Sequence, residues 1–325
     1  MTTTATFTTR TTIAASGEYD FTFAHTHYNI YPWIAAGDSL LRILRRTEYP
    51  VLVRIRPSVS RNMLDLEIHS SRPVKADELA TIACDITWGL ALKDSSGNVV
   101  PPLAQEDPVI AAALYVNRGI RPKRYLDLFE AICGAICAQN VDFRRLYQMM
   151  HAIAVTFGPG ITVADTVYHA FPLAHEIATR TDAELRSCKV GYRSKVILNA
   201  ANFLTVQGQA PDRQSLATCD PQEAIDRLCE IPGIGPYSAG IVLSAYVGRS
   251  DILHLDSFTR HILQTFYFKA RKVSDDRLRK LALKRWPHCA GAIAHLLTTN
   301  THVWAAALGY ENFRPSGADP SRGVK

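Results

Sequence analysis

The sequence predicts an α+β protein in two parts: a small sheet-containing domain over residues 18–106 and a helical core over residues 107–310. Three observations carry this expectation. Apolar residues alternate at a period of two in the first part, recur at helical spacing in the second, and short polar or Gly/Pro-rich connections separate the runs. The chain has 325 residues, 47% of them hydrophobic and 20% charged. That is enough apolar side chain to fill a sizeable core, and too much for a disordered or fibrous chain. No stretch reaches the roughly 18 consecutive apolar residues of a membrane-spanning helix. Residues 1–12 are mostly threonine around a single Arg10, with no apolar core of a secretory signal, and residues 1–17 read as a frayed, disordered tail.

Within the first part, Tyr19, Phe21 and Phe23 alternate with smaller or polar neighbours. So do Val51, Val53 and Ile55, and again Leu64, Leu66 and Ile68. Each run reads as a strand, with a polar turn at 58–62 between the last two. Residues 75–92 carry Leu79, Ile82, Ala83 and Ile86 on one helical face, and 93–102 read as a boundary loop. Asp107-Pro108 reads as an N-cap followed by proline at the first helical position. Helices are expected over 124–137, 143–157, 182–188, 192–207, 221–230, 237–247, 257–268, 275–284 and 290–308. Residues 311–325 read as a flexible tail.

Seven cysteines are scattered through mostly apolar stretches, without a Cys-x-x-Cys pair or a Cys/His cluster at zinc spacing. They read as reduced thiols, and their spacing speaks against a structural metal built from thiolates. The net charge of +6 suits a nucleic-acid partner without requiring one.

The most informative stretch is Leu228-Cys229-Glu230-Ile231-Pro232-Gly233-Ile234-Gly235-Pro236-Tyr237-Ser238-Ala239. A helix ends, a Pro-Gly-Ile-Gly turn follows, and a second helix starts at Pro236. The glycines permit positive φ and close approach of another chain. Backbone N–H groups at the start of the second helix can grip a phosphate. Asp256 follows Gly235 by 21 positions, in His254-Leu255-Asp256-Ser257, at the start of another helix. A lone aspartate there is ordinarily an N-cap. A hairpin, a helix, a short loop and then Leu-Asp before a helix form a much rarer combination.

That combination resembles the helix-hairpin-helix superfamily of base-excision DNA glycosylases over about residues 107–308, and more loosely over the sheet domain. Within it the chain looks most like the inducible alkylpurine (3-methyladenine) and 8-oxoguanine enzymes. The resemblance implies a small antiparallel β-sheet N-terminal domain followed by a two-lobed all-helical helix-hairpin-helix glycosylase core, with the hairpin at 221–247. It implies Asp256 as the catalytic carboxylate and Gly233, Ile234, Gly235 and Tyr237 as the phosphate anchor. It also implies a structural Na+ or K+ that could sit on the backbone carbonyls of Cys229, Ile231 and Ile234, and no other required cofactor. Asn140 matches the residue that fills the gap left by a flipped base. Arg145, Tyr192 and Arg193 match the wedge and the readers of the opposite base. Arg118, Arg121, Lys123, Arg124, Lys195, Lys269, Arg271 and Lys272 could follow the DNA backbone. The base pocket would include Tyr237, Trp286, Ala294 and Thr298.

Departures from the pattern narrow the expectation. Tyr237 stands where bifunctional members carry a lysine, and a phenol cannot form a Schiff base. Ala294 and Thr298 replace the glutamine and phenylalanine of the 8-oxoguanine pocket. The four-cysteine loop of an iron–sulfur cluster is missing, with only Cys289 near the end. The expected protein is therefore a monofunctional glycosylase for an alkylated purine. An enzyme for an oxidised or deaminated base and a non-catalytic damage-binding protein are the alternatives. Damaged double-stranded DNA is the expected partner, a monomer the expected state, and no membrane is involved. The expected location is the bacterial cytoplasm and nucleoid, or otherwise the nucleus.

Overall fold

The computed structural model describes residues 2–45, 49–94, 102–206 and 210–313. Most of the expected boundary loop at 93–102, and residues 314–325 of the expected tail, lie outside them. The N-terminal part contains β1 (Thr2–Thr4), β2 (Phe7–Ala14), α1 (Phe21–Thr26), β3 (Trp33–Ala36), β4 (Ser39–Arg45), β5 (Pro50–Pro57), β6 (Met63–Ser70) and α2 (Ala76–Gly89). Five strands form an antiparallel sheet in the order β2-β6-β5-β4-β3. The alternating residues Val51, Val53, Ile55, Leu64, Leu66 and Ile68 all point into its core, where Ile82 and Ile86 of α2 cover them.

Two expectations fail here. Residues 2–14 are not a frayed tail: β2 pairs with β6 from Phe7↔Ser70 to Ala14↔Met63, and β1 pairs in parallel with a strand of the helical part. Threonine is β-branched and suits a pleated strand. With Thr9 and Thr11 on the inner face of β2, the apolar alternation that marks a half-buried strand is hidden. Tyr19, Phe21 and Phe23 do not form a strand either. Asp20 accepts the Phe23 N–H at 2.8 Å and caps α1.

The helical part runs through α3 (Pro108–Val116), α4 (Leu128–Cys137), α5 (Phe143–Phe157), β7 (Gly160–Val163), β8 (Thr166–His169), α6 (Ala174–Ala178), α7 (Asp182–Ser187), α8 (Arg193–Thr205), α9 (Arg213–Thr218) and α10 (Pro221–Cys229). It continues with α11 (Pro236–Val242), a π-helical turn (Leu243–Val247), α12 (Ser257–Tyr267), α13 (Asp275–Arg285), α14 (Ala290–Thr298) and α15 (Thr301–Ala307). Two cores divide it. One is built mainly from α4 to α11 and the π turn, the other from α3 with α12 to α15. The short β7–β8 hairpin, joined by β1, was not expected. The span 290–308 is two helices, broken at Asn300 in the left-handed region with φ 46°. Asn117 stabilises the break by donating to the carbonyls of Leu296 and Thr299, both at 3.0 Å. Phe313, placed in the tail by the sequence, is buried and stacks on His261.

The sheet domain is tied to α4 by a buried bidentate ion pair, Arg42 Nη2 to Glu130 at 2.8 and 3.0 Å. No helix among the described residues is long and apolar enough to cross a membrane.

Candidate active site

The hairpin between α10 and α11 is closed by two backbone bonds, Ile231 N–H to Leu228 O at 3.1 Å and Ile234 N–H to Ile231 O at 3.0 Å. Ile231 and Ile234 are buried in the first core and pin the turn, while Gly233, Gly235 and Pro236 stay exposed. Gly233 has φ 87°, and a Cβ there would lie 2.0 Å from Val196 Cγ1, so both conformation and space demand glycine. Gly235 differs from expectation: its φ of −97° suits any residue. Its use is open space, since a Cβ would meet nothing within 4 Å. Pro236 opens α11, and the first-turn N–H groups behind it have no intrahelical acceptor.

Asp256 caps α12, its Oδ1 accepting the Thr259 N–H at 2.6 Å. That bond fixes the carboxylate at the edge of the second core, where Tyr237 faces it from the first. Burial, and secondarily the Asp256 charge, push the Tyr237 hydroxyl up to about 12. The Tyr237 ring stands edge-on to His254, with centroids 5.9 Å apart. His254 in turn acts on His295 of α14, which is held down to about 4, first by burial and then by His254. Tyr28, delivered by the segment after α1, approaches His295 at 6.5 Å and Phe143 of α5 at 5.5 Å. A row of rings thus links the two cores beside Asp256. His295 also forms part of the wall of a cavity of about 960 Å³ whose lining includes neither Tyr237 nor Asp256. No group of three or more His, Cys, Asp or Glu side chains that could hold a metal occurs among the described residues.

No family model matches the chain. It is 24% identical over 255 residues to the DNA-3-methyladenine glycosylase of Bacillus subtilis, covering 76% of this chain and 82% of the relative. It is 23% identical over 222 residues to the N-glycosylase/DNA lyase OGG1 of Arabidopsis thaliana, covering 67% of this chain but only 58% of that protein. The solved 3-methyladenine DNA glycosylase of Archaeoglobus fulgidus superposes with a TM-score of 0.74 at 19% identity, over 88% of this chain and 96% of that one. The chain has the helix-hairpin-helix glycosylase fold.

In this fold the two residues expected as a wedge are both exposed. Asn140 is exposed just beyond α4 with φ 54°, and Tyr192 is 59% exposed before α8. The two arginines depart from expectation. Arg193 is buried; its Nε donates to Ile136 O at 3.3 Å and its Nη2 to Gln139 O. Arg145 Nη2 donates to Lys189 O. The carbonyls on which Arg193 closes are those that the end of α4 leaves without helical partners. Both guanidinium groups therefore hold backbone rather than standing open toward an opposite base.

The expected pocket is also redrawn. Trp286 is 2% exposed and packs against Tyr267 inside the second core, and Ala294 is buried there too. Thr298 turns its hydroxyl back onto Ala294 O at 2.9 Å. The α14 residue that reaches the ring row is His295, next to Ala294. Sequence reasoning missed it, along with His254, Tyr28 and Phe143. A signal existed for His254 alone, two positions before Asp256. Three of the expected backbone-following cations are scaffold instead. Arg121 donates to the carbonyls of Ser16, Glu18, Ala91 and Leu92; Lys123 to those of Ala24 and His27; Arg124 pairs with Asp94 at 2.7 Å. Arg118 lies 3.9 Å from Glu18 with its side chain largely exposed. Lys195, Lys269, Arg271 and Lys272 are exposed.

Proposed function

We propose that this protein is a DNA glycosylase that hydrolyses the N-glycosidic bond of a flipped, damaged purine and leaves the strand intact. The observation that carries the reading is the position of Asp256: a carboxylate fixed by its own helix cap, facing the first ring of the α11 helix that the hairpin starts. Extracting the base costs a few kcal/mol of unstacking. Exposed Asn140 and Tyr192 can fill the gap and hold the kink. The hairpin N–H groups anchor a phosphate of the same strand. As the glycosidic bond lengthens, positive charge builds on the sugar. Asp256 stabilises it and orients or deprotonates the attacking water. Tyr237 keeps its proton at neutral pH and carries no amine, so it offers no route to a Schiff base. A Na+ or K+ on the Cys229, Ile231 and Ile234 carbonyls would use the second lone pair of Ile231 O, which already accepts Ile234 N–H.

An alkylated purine is the substrate this reading favours. Its positive charge makes it a good leaving group and draws it to electron-rich ring faces such as Tyr237 and Tyr28. The name of the Bacillus subtilis relative supports the same choice. An oxidised purine is the second reading, favoured by the likeness to the Arabidopsis N-glycosylase/DNA lyase. The test is excision from duplexes carrying 7-methylguanine, hypoxanthine or 8-oxoguanine, with borohydride added in parallel. Release of the methylated base, with strand breaks only after alkali, is expected. A borohydride-trapped protein–DNA adduct would overturn the monofunctional reading, and release of 8-oxoguanine alone would overturn the substrate.

A further inference from the structure

The ring row holds two polar atoms that the fold leaves without a partner. His254 Nδ1 and His295 Nε2 are both buried and make no hydrogen bond. On the segment that delivers Tyr28, His25 Nε2 and Asn29 Oδ1 are in the same condition. A buried polar atom without a partner costs stability, and a native fold rarely keeps several together without a use for them. Packing alone gives none here. Each imidazole meets another ring, His254 that of Tyr237 and His295 that of Tyr28. A phenylalanine would make those contacts without burying a nitrogen. The helix facing His254 is thinned to admit it, since a Cβ on Gly240 would stand 3.1 Å from His254 Cβ.

We propose that His254 and His295 read the extracted base, each through a hydrogen bond from its unpartnered ring nitrogen to the donor and acceptor groups on the purine edge. This rests on the glycosylase reading and extends it to two residues outside the pocket that the sequence suggested. A neutral imidazole donates through one nitrogen and accepts through the other. Two of them can therefore match a purine that presents both an amino or ring N–H group and an oxo or ring-nitrogen acceptor. The surroundings keep both rings in that form. Burial lowers His254, with Arg279 adding to the effect and Asp256 opposing it. Burial and His254 hold His295 down to about 4 against the pull of Asp94. Neutral rings also place no positive charge against a cationic base.

The experiment compares the full-length protein with His254→Phe and His295→Phe, measuring single-turnover excision from the three lesion duplexes together with thermal melting. The phenylalanines keep the ring volume and remove the nitrogen. Excision is expected to fall about tenfold or more in each, with an unchanged or higher Tm. His254→Asn and His295→Gln, which restore a polar atom near the lost Nδ1 and Nε2, should recover part of the rate. Unchanged rates in both phenylalanine variants would overturn the proposal while leaving the enzyme reading intact. A Tm that drops in step with excision, with no rescue by Asn or Gln, would also overturn it by making the histidines structural. A wild type that releases no base from any duplex would overturn the glycosylase reading itself, and this one with it.

Discussion

The two sides of the site are built in opposite ways. On the hairpin side, Gly233, Tyr237 and Asp256 come from one continuous stretch of chain. Each also serves its own backbone: Gly233 takes the positive φ of the turn, Tyr237 lies in the first turn of α11, and Asp256 caps α12. On the side proposed as the wedge, Asn140 and Tyr192 come from separate segments. What joins them is Arg193, reaching from the start of α8 to two carbonyls at the end of α4. Local geometry makes the first side. A long-range tie, in which a single buried side chain carries much of the positioning, makes the second. Removing a group on the hairpin side should therefore damage chemistry and spare the fold. Removing the tie should loosen the machinery as a whole.

The largest effect is expected for Asp256→Asn. Asparagine caps a helix as well as aspartate does, so the α12 start and the Tm should be nearly unchanged. The carboxylate charge is lost, and single-turnover base release should fall by roughly 10² to 10⁴. Lesion DNA should bind at least as tightly, because a charge repelling phosphate is gone. Near-normal excision in this variant would break the comparison at its strongest point. Asp256→Ala, by contrast, should add a stability loss of about 1 kcal/mol from the missing cap.

Arg193→Ala comes next. It leaves two carbonyls without their donor in a buried place and should cost about 1–3 kcal/mol. With the tie cut, excision of every lesion should slow by about tenfold, whatever base stands opposite. Arg193→Lys should not restore it, since a single ammonium does not reproduce a planar fork spanning two acceptors. Excision measured against four opposite bases checks this. If the alanine variant keeps its Tm and loses only a preference for one opposite base, Arg193 is a reader after all and the two sides are alike.

The same contrast explains what could be read from the chain. The hairpin and Asp256 were legible because their residue types answer local demands at fixed spacing, and so leave a pattern. The starts of α5 and α7 were legible for the same reason, whereas α4 starts four residues later than expected and α6 was not foreseen. Asp127, Asp142 and Thr181 cap helices there, each accepting from the third residue of its own helix. The role of Arg193 was not legible, because its partners are 54 and 57 positions away in the chain. His295 and Tyr28 meet across more than 260 residues, so no window of sequence brings them together. Trp286 was misread because a tryptophan near a pocket and a tryptophan in a core look the same until the packing is known. The threonine strand β2 was missed because its pairing partner, not its own apolar content, decides its state.

The smallest predicted effect concerns how the hairpin side holds its rings. An imidazole in the unfolded chain titrates near 6.5, while folded His295 is held down to about 4. Between these values the unfolded chain binds a proton that the folded protein refuses, so falling pH favours unfolding. Stability should therefore decline as pH drops from about 6.5 toward 4, with a slope of at most about 1.4 kcal/mol per pH unit for one proton. His254, lowered in the same direction, adds to it. Melting curves from pH 4.5 to 7 for wild type and His295→Phe isolate the contribution, because carboxylates elsewhere titrate alike in both. The two Tm profiles should converge toward the upper end of the range and diverge toward the lower, with the phenylalanine variant the more stable in acid. Parallel profiles would mean that His295 takes up its proton freely in the folded state. The ring row would then be as tolerant of charge as an exposed surface, and the hairpin side would lose the fixed ionisation that distinguishes it from the wedge.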